Sequence, residues 1–249
     1  MIEFKDVELS LNGKEILNKI SFKIEKGQSV LLIGNSGAGK STILKLLLGL
    51  IKPVSGEISV FGKNIDKLSN NELMKLRQKC GMVFQGGALF DSLTVEENVG
   101  FFLRESQKLS REEVYHSVME KLEYLHLDAF KDYYPAQLSG GMKKRVAIAR
   151  AITSGPDVML YDEPTAGLDP QTATRVVGLI DDLRHRFNVT SLIVSHEIHY
   201  FLNIVDRMML LKEGVIEYDG EPDLESVSDK KKTEFPFALT EVMSQYGII

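Results

Sequence analysis

Apolar and polar positions alternate near the start of the chain, and the period then changes. The alternation is loose over 3–9, is broken by Asn12-Gly13, and becomes strict over 20–24. Asn and Gly tolerate positive φ, so this pattern predicts two strands joined by a hairpin turn, with one face of the second strand wet. After a turn at Lys26-Gly27 comes an unbroken apolar run, Ser29-Val30-Leu31-Leu32-Ile33. Such a run fits a strand covered on both faces, as in a parallel α/β sheet. Over 40–50 the apolar positions Ile43, Leu44, Leu47 and Leu48 fall at helical spacing, and Pro53 lies just beyond the expected end.

The alternation of strand and helix continues. Further strands are expected over 56–61, 81–84, 158–161 and 191–194. Helices are expected over 70–79, over most of 95–135 where Leu122, Leu125 and Leu127 sit among charges, and over 138–152. This order predicts an α/β fold with a mainly parallel core sheet and helices on both faces. Two insertions modify it: an antiparallel β layer at the N-terminus and a helical subdomain at about 86–155. One domain is expected over 1–222, and 223–249 reads as a linker and a short helix. The stretch 223–232 is polar and contains Asp229-Lys230-Lys231-Lys232; after Pro236, the residues Leu239, Val242, Met243 and Tyr246 recur at helical spacing. Docking on its own domain, a partner contact, a dimer clasp and disorder all remain open for that tail.

Composition narrows the class. The 249 residues, 43% of them hydrophobic, suffice for a sizeable core and exclude wholesale disorder. A net charge of −5 with a pI near 5.6 argues against a nucleic-acid partner. One cysteine, Cys80, excludes an intrachain disulfide and a CxxC metal or redox pair, and reads as an inert small hydrophobe. The longest apolar stretch, Leu46-Leu47-Leu48-Gly49-Leu50-Ile51, falls well short of the roughly 18–20 residues of a spanning helix. The start, Met1-Ile2-Glu3-Phe4-Lys5-Asp6, lacks the pattern of a signal peptide. A soluble cytoplasmic protein is the expectation.

The chemistry concentrates at strand ends. Gly34-Asn35-Ser36-Gly37-Ala38-Gly39-Lys40-Ser41, followed by Thr42, fits G-x-x-x-x-G-K-[ST] between a strand and a helix. Glycines let backbone N–H groups wrap round phosphate oxygens at a helix N-terminus, where anions are favoured. Lys40 is expected on the β- and γ-phosphates of ATP, and Ser41 on Mg²⁺. Val158-Met159-Leu160-Tyr161-Asp162-Glu163 is an apolar strand ending in two carboxylates: Asp162 to bind Mg²⁺, and Glu163 to act as base for the attacking water. His196, after the strand at 191–194, is placed to contact the γ-phosphate and hold the water in line. A zinc site fails, because His196 and His199 lack an HExxH frame or a Cys partner. Lys143-Lys144-Arg145 reads as a solvated helix face. Met142, Met208 and Met209 read as packing residues, and His116, His126, His185 and His199 as surface or capping groups.

At Leu138-Ser139-Gly140-Gly141-Met142, ahead of the Asp162-Glu163 strand, the chain resembles the signature of ABC-type ATPases over residues 1–222. The resemblance implies a P-loop NTPase of the ABC ATPase type, hydrolysing ATP to ADP and phosphate in step with transport. Gln85 then matches the Q-loop glutamine that joins the Mg²⁺ shell, and Glu163 the catalytic glutamate. Ala166-Gly167-Leu168-Asp169 matches the D-loop, and His196 the switch histidine. It further implies a head-to-tail homodimer in which Ser139, Gly140 and Gly141 cap the ATP held by the partner copy, with Asp169 at the nucleotide. Leu11 stands where the family usually stacks an aromatic on adenine. A finer likeness spans 81–99, Gly140-Gly141-Met142 in place of the commoner GGQ, and 161–170. There the chain looks like the ATPase of Mla/MCE-type lipid transporters. That implies phospholipid transport in the bacterial envelope, a separate membrane permease docking at 85–99, an MCE-domain lipid-binding partner, and a place on the cytoplasmic face of the inner membrane. An amino-acid or other importer, and a soluble ABC ATPase with an assembly role, are the alternatives.

Overall fold

The structure, a computed structural model of the chain, describes residues 1–106 and 109–222; the tail helix expected after Pro236 lies outside them. The chain divides into two compact units, one built from Met1–Leu76 and the segment from Thr190 on, the other from Arg77–Val189.

The first unit opens with β1 (Ile2–Leu11) and β2 (Lys14–Ile24), reversed at Asn12 (φ 52°) and Gly13 (φ 78°). Polar residues alternate outward along β2, and Ile20, Phe22 and Ile24 are buried as the period predicts. Phe4 stacks on Phe22 with ring centroids 4.5 Å apart. β3 (Ser29–Ile33) is buried along its whole length. After α1 (Lys40–Leu47) come β4 (Ser55–Val60), β5 (Lys63–Asn64) and α2 (Asn70–Gln78). The order β2-β1-β4-β5 makes an antiparallel sheet, the expected N-terminal β layer.

Helix α1 was expected to run to residue 50 and stops at Leu47. Gly49 turns left-handed (φ 60°), the Leu50 N–H reaches back to Lys45 O at 2.9 Å, and the Gly49 N–H reaches Leu46 O at 2.8 Å. This pair of bonds is the Schellman end that glycine permits, and it overrides the apolar period.

The second unit holds β6 (Cys80–Val83), α3 (Val95–Ser106), α4 (Arg111–Tyr124), α5 (Gly140–Ile152), β7 (Val158–Asp162) and α6 (Pro170–Phe187). The helical stretch expected over 95–135 is divided into α3, α4 and 3-10 turns at 128–130 and 135–137, with a Ser110–Glu113 capping box starting α4. β6 and β7 pair in parallel, from Cys80↔Val158 to Val83↔Tyr161. Gly81 is required here: a Cβ would lie 2.4 Å from Met159 Sδ and 2.7 Å from Ala151 O on α5.

The chain closes with β8 (Thr190–Val194), β9 (Arg207–Lys212) and β10 (Val215–Gly220) in the first unit. β3 lies between β8 and β9, parallel to both, and β10 turns back antiparallel on β9. The sheets are therefore mainly parallel around the core strands. Among the described residues, β5, α6 and the β9–β10 hairpin have no counterpart in the pattern-based expectation.

Candidate functional site

The glycine-rich segment leaves the buried end of β3 and enters α1. Gly34 (φ 153°) passes so close to β9 that a Cβ would sit 2.3 Å from Leu211 O, which closes the position to every other residue. Gly37 (φ 81°) and Gly39 (φ 104°) both adopt left-handed backbone. Asn35, Ser36 and Gly37 are exposed, and the Ala38 N–H turns back to Asn35 O at 3.1 Å. No side chain caps the start of α1. Its first amides therefore face the loop, a donor set fitted to phosphate oxygens. Lys40 is only 7% exposed, and its ammonium bridges Gly34 O at 2.6 Å and Asn35 O at 3.2 Å. A cation folded into a ring of amides is the arrangement that neutralises a polyphosphate. Ser41 and Thr42, next along the helix, are half-buried.

His196 belongs to the same unit. It follows β8, whose Val194 pairs with Leu32 of β3, and the Ser195 N–H donates to Leu32 O at 3.3 Å. The histidine thus emerges at the strand ends that carry the glycine loop. Leu11, at the hairpin tip of β1, is 42% exposed and open to a flat apolar partner.

In the second unit the parallel pairing brings another group together. Because β6 and β7 run the same way in register, Phe84-Gln85 and Asp162-Glu163 leave the same carboxyl edge, where such sheets place ligands. Gln85 is exposed and Asp162 half-buried, whereas Glu163 is 8% exposed and adopts a left-handed backbone (φ 48°). Among the described residues no group of three or more His, Cys, Asp or Glu forms a metal cage. Of the residues expected on Mg²⁺, Ser41 lies in the first unit and Gln85 and Asp162 in the second; a hydroxyl, a carboxamide and a carboxylate are each oxygen donors of the kind Mg²⁺ takes. The Tyr161 hydroxyl beside them is fully buried, and burial pushes its pKa up.

The signature segment starts α5. Ser139 is its N-cap, accepting the Met142 N–H at 3.3 Å. This bond engages the Met142 amide, which was not among the expected donors, Ser139, Gly140 and Gly141. Gly141 also has a packing reason: a Cβ would meet Thr172 Cγ2 of α6 at 2.3 Å. Asp169, expected at the nucleotide, is the N-cap of α6, accepting the Thr172 N–H at 3.1 Å; the Thr172 side chain, and then this backbone bond, hold its carboxyl below the usual range.

The reading of Lys143-Lys144-Arg145 as a solvated face is overturned. Lys144 is 5% exposed and donates to Gln85 O and Glu163 O. Arg145 is half-buried and donates to Leu125 O at 2.9 Å, and desolvation together with nearby Arg175 lowers its pKa. Farther along α5, burial lowers the pKa of Arg150, which donates to Gly87 O at 2.8 Å and Ala88 O at 2.7 Å. Lys144 was missed although a signal existed: Ala147, Ile148 and Ala151 follow it at helical spacing, on the apolar side of α5. Cys80 behaves as expected, its thiol pushed up to about 12 by burial, and Met208 and Met209 are buried in β9.

The comparisons agree with these features. The ABC transporter family model matches residues 17–166. Methionine import ATP-binding protein MetN of Carboxydothermus hydrogenoformans is 42% identical over 223 residues, which cover 88% of this chain and 66% of that protein. The chloroplastic protein TRIGALACTOSYLDIACYLGLYCEROL 3 of Arabidopsis thaliana is 43% identical over 237 residues, covering 88% of this chain and 68% of that protein. The chain thus spans about two thirds of the length of these relatives. An ATP-binding cassette solved as a dimer in a post-hydrolysis state, bound to ADP and Pi, superposes with a TM-score of 0.81 at 32% identity, over 90% of this chain and 99% of that one. It shares the P-loop NTPase fold with its antiparallel layer and mixed sheet. The phosphate loop, the carboxylate strand and the signature helix, found in this order on this fold, make the chain a member of the ABC transporter family, carrying its ATP-binding cassette.

Proposed function

We propose that the chain is the ATP-hydrolysing subunit of an ABC transporter that imports a small solute of the amino-acid class. The observation that carries the hydrolytic part is the uncapped start of α1 with the Lys40 ammonium folded into its loop. In this reading the loop amides and Lys40 bind the β- and γ-phosphates of ATP, and Ser41, Gln85 and Asp162 hold Mg²⁺. Bound Mg²⁺ supplies charge neutralisation on the transferred phosphoryl group. Glu163 takes the proton of the attacking water, and His196 orients that water. Leu11 covers the adenine. Ser139, Gly140 and Gly141 act on the nucleotide of a second copy, so that ATP closes a homodimer and hydrolysis opens it. No helix of the described residues is long and apolar enough to cross a membrane. The reading places the chain beneath a separate permease, on the cytoplasmic face.

The importer assignment rests on the methionine-import relatives, which outweigh the lipid reading expected from the sequence. One observation keeps a lipid substrate as a second reading: the equally similar relative bears the name of a galactolipid. That reading adds an MCE-domain partner. The deciding experiment is ATP hydrolysis by the complex extracted from native membranes. Stimulation by methionine supports import, stimulation by phospholipid supports the second reading, and complete lack of ATP turnover overturns both.

A further inference from the structure

We propose that Lys144 is a positioning residue for hydrolysis: its buried ammonium locks the backbone of the Gln85 loop to the backbone of Glu163. The proposal rests on the ATP-hydrolysing reading above and adds to it a residue outside the nucleotide-contacting set.

Three observations carry it. First, one Nζ donates both to Gln85 O and, at 3.0 Å, to Glu163 O, two carbonyls far apart in sequence. Both bonds are charge-assisted and almost dry, since Lys144 is 5% exposed; such bonds are stronger and more directional than neutral, wet ones. Second, the Glu163 carbonyl belongs to a residue in left-handed backbone (φ 48°), a conformation that persists only where its surroundings hold it. It also accepts the Ala166 N–H at 3.3 Å, longer than the lysine bond. Third, the loop at the opposite end of the bridge is equally constrained. Gly87 (φ 76°) and Ala88 (φ 47°) are left-handed, and Arg150 of the same helix holds both their carbonyls. Helix α5 therefore grips the loop with two cations, but only Lys144 also grips Glu163. A shift of the Gln85 loop reaches Glu163 through this side chain, beyond the end of the β6–β7 ladder at Val83↔Tyr161.

Chemistry selects lysine for this task. An ammonium has three donors on one atom and can serve two carbonyls at once, and its flexible stem lies along the apolar side of α5. A methionine keeps the stem volume and removes every donor. Arginine keeps donors and charge.

The test uses the full chain with K144M, K144R and R150M, reading steady-state ATP turnover and amide hydrogen exchange at 86–88 and 165–168. K144M is expected to lower kcat by about tenfold or more with KM for ATP within about twofold, the signature of a misaimed base and not of lost binding. Exchange should rise in both segments together in K144M, in the loop segment alone in R150M, and in neither in K144R, which should also regain most of the turnover. Unchanged kcat in K144M, or faster exchange in only one of the two segments, overturns the bridge. Should K144M fail to fold, K144Q replaces it; its short amide cannot span both carbonyls, and the same paired rise is expected. If the wild-type chain hydrolyses no ATP, the hydrolytic reading falls, and the exchange comparison still decides whether Lys144 joins the two segments.

Discussion

Glu163 is held in left-handed backbone by neighbours and is 8% exposed, so its backbone is set by the fold before any substrate arrives. Groups on a preset backbone spend little reorganisation at the moment of reaction. Replacing it by an isosteric amide removes the proton acceptor and leaves shape intact. E163Q is therefore expected to lower ATP turnover by about 10²–10⁴-fold while nucleotide affinity stays near wild type, read by phosphate release and by equilibrium binding. Wild-type turnover in that variant would remove Glu163 from the role of base. Leu11 raises a different question, since an aliphatic tip, 42% exposed, stands at the position where the sequence resemblance leads one to expect a stacking ring. A base on an aromatic face gains about 1–3 kcal/mol. L11Y is expected to tighten ATP binding by about tenfold, and isothermal titration with ATP and GTP reads both the gain and the base preference. Weaker binding in L11Y would mean that the adenine lies elsewhere.

Helix α6 shows how an element can be plain in structure and pass unnoticed in a sequence. Its signals are all present: Asp169 as cap, Pro170 at the first turn, buried Ala173, Val176, Val177, Ile180 and Leu183, and left-handed Asn188 (φ 48°) after the end. Only Asp169 and Pro170 enter the sequence reading, at the end of a motif, and the apolar period after them has no place in it. The Asp169 cap also carries a pH signature. Its bonds to Thr172 lower the carboxyl below its ordinary value of 3.8, so the helix contribution is complete above that value and fades as pH falls through the depressed one. D169N keeps a capping oxygen without the titration. Thermal melts should place D169A below wild type at neutral pH and D169N near it, with wild type losing its margin over D169A under strongly acid conditions. Equal melting of D169A and wild type at neutral pH would show that the cap adds nothing to stability.

The elements legible beforehand were those decided by their own residues. The run 30–33 is apolar throughout and, with Ser29, becomes a fully buried strand, and Asn12-Gly13 supplies the positive φ its hairpin needs. The phosphate loop was legible because each residue type in it answers a local geometric demand. Lys144 was misread for the opposite reason. A lysine's burial depends on acceptors, and its acceptors, Gln85 O and Glu163 O, come from segments that no local period can place beside it. The stop of α1 at Leu47 is an intermediate case, since Gly49 was visible but the run of leucines around it was louder.

For the molecule as a whole, the signature at the start of α5 and the loop at the start of α1 are both helix N-termini suited to anions, and they lie in different units of the chain. Under the proposed function a second copy supplies the missing cap. Light scattering on E163Q with ATP and Mg²⁺ is expected to give twice the mass of the chain, and a single-chain mass with ADP. A single-chain mass under both conditions would sink the nucleotide-closed dimer. Whether or not that dimer forms, the chain faces a problem of timing as it is made. β3, the strand that delivers Gly34, is synthesised well before both its partners, being paired on one side with Ser191–Val194 and on the other with Arg207–Leu210. A wholly apolar strand waits, with both edges unsatisfied, until the last part of the first unit emerges, which is the interval in which chains recruit chaperones or aggregate. The β1–β2 hairpin can form at once, and the segment between the two halves can condense in the meantime. The surroundings of the phosphate loop are thus completed only when Leu211 arrives against Gly34.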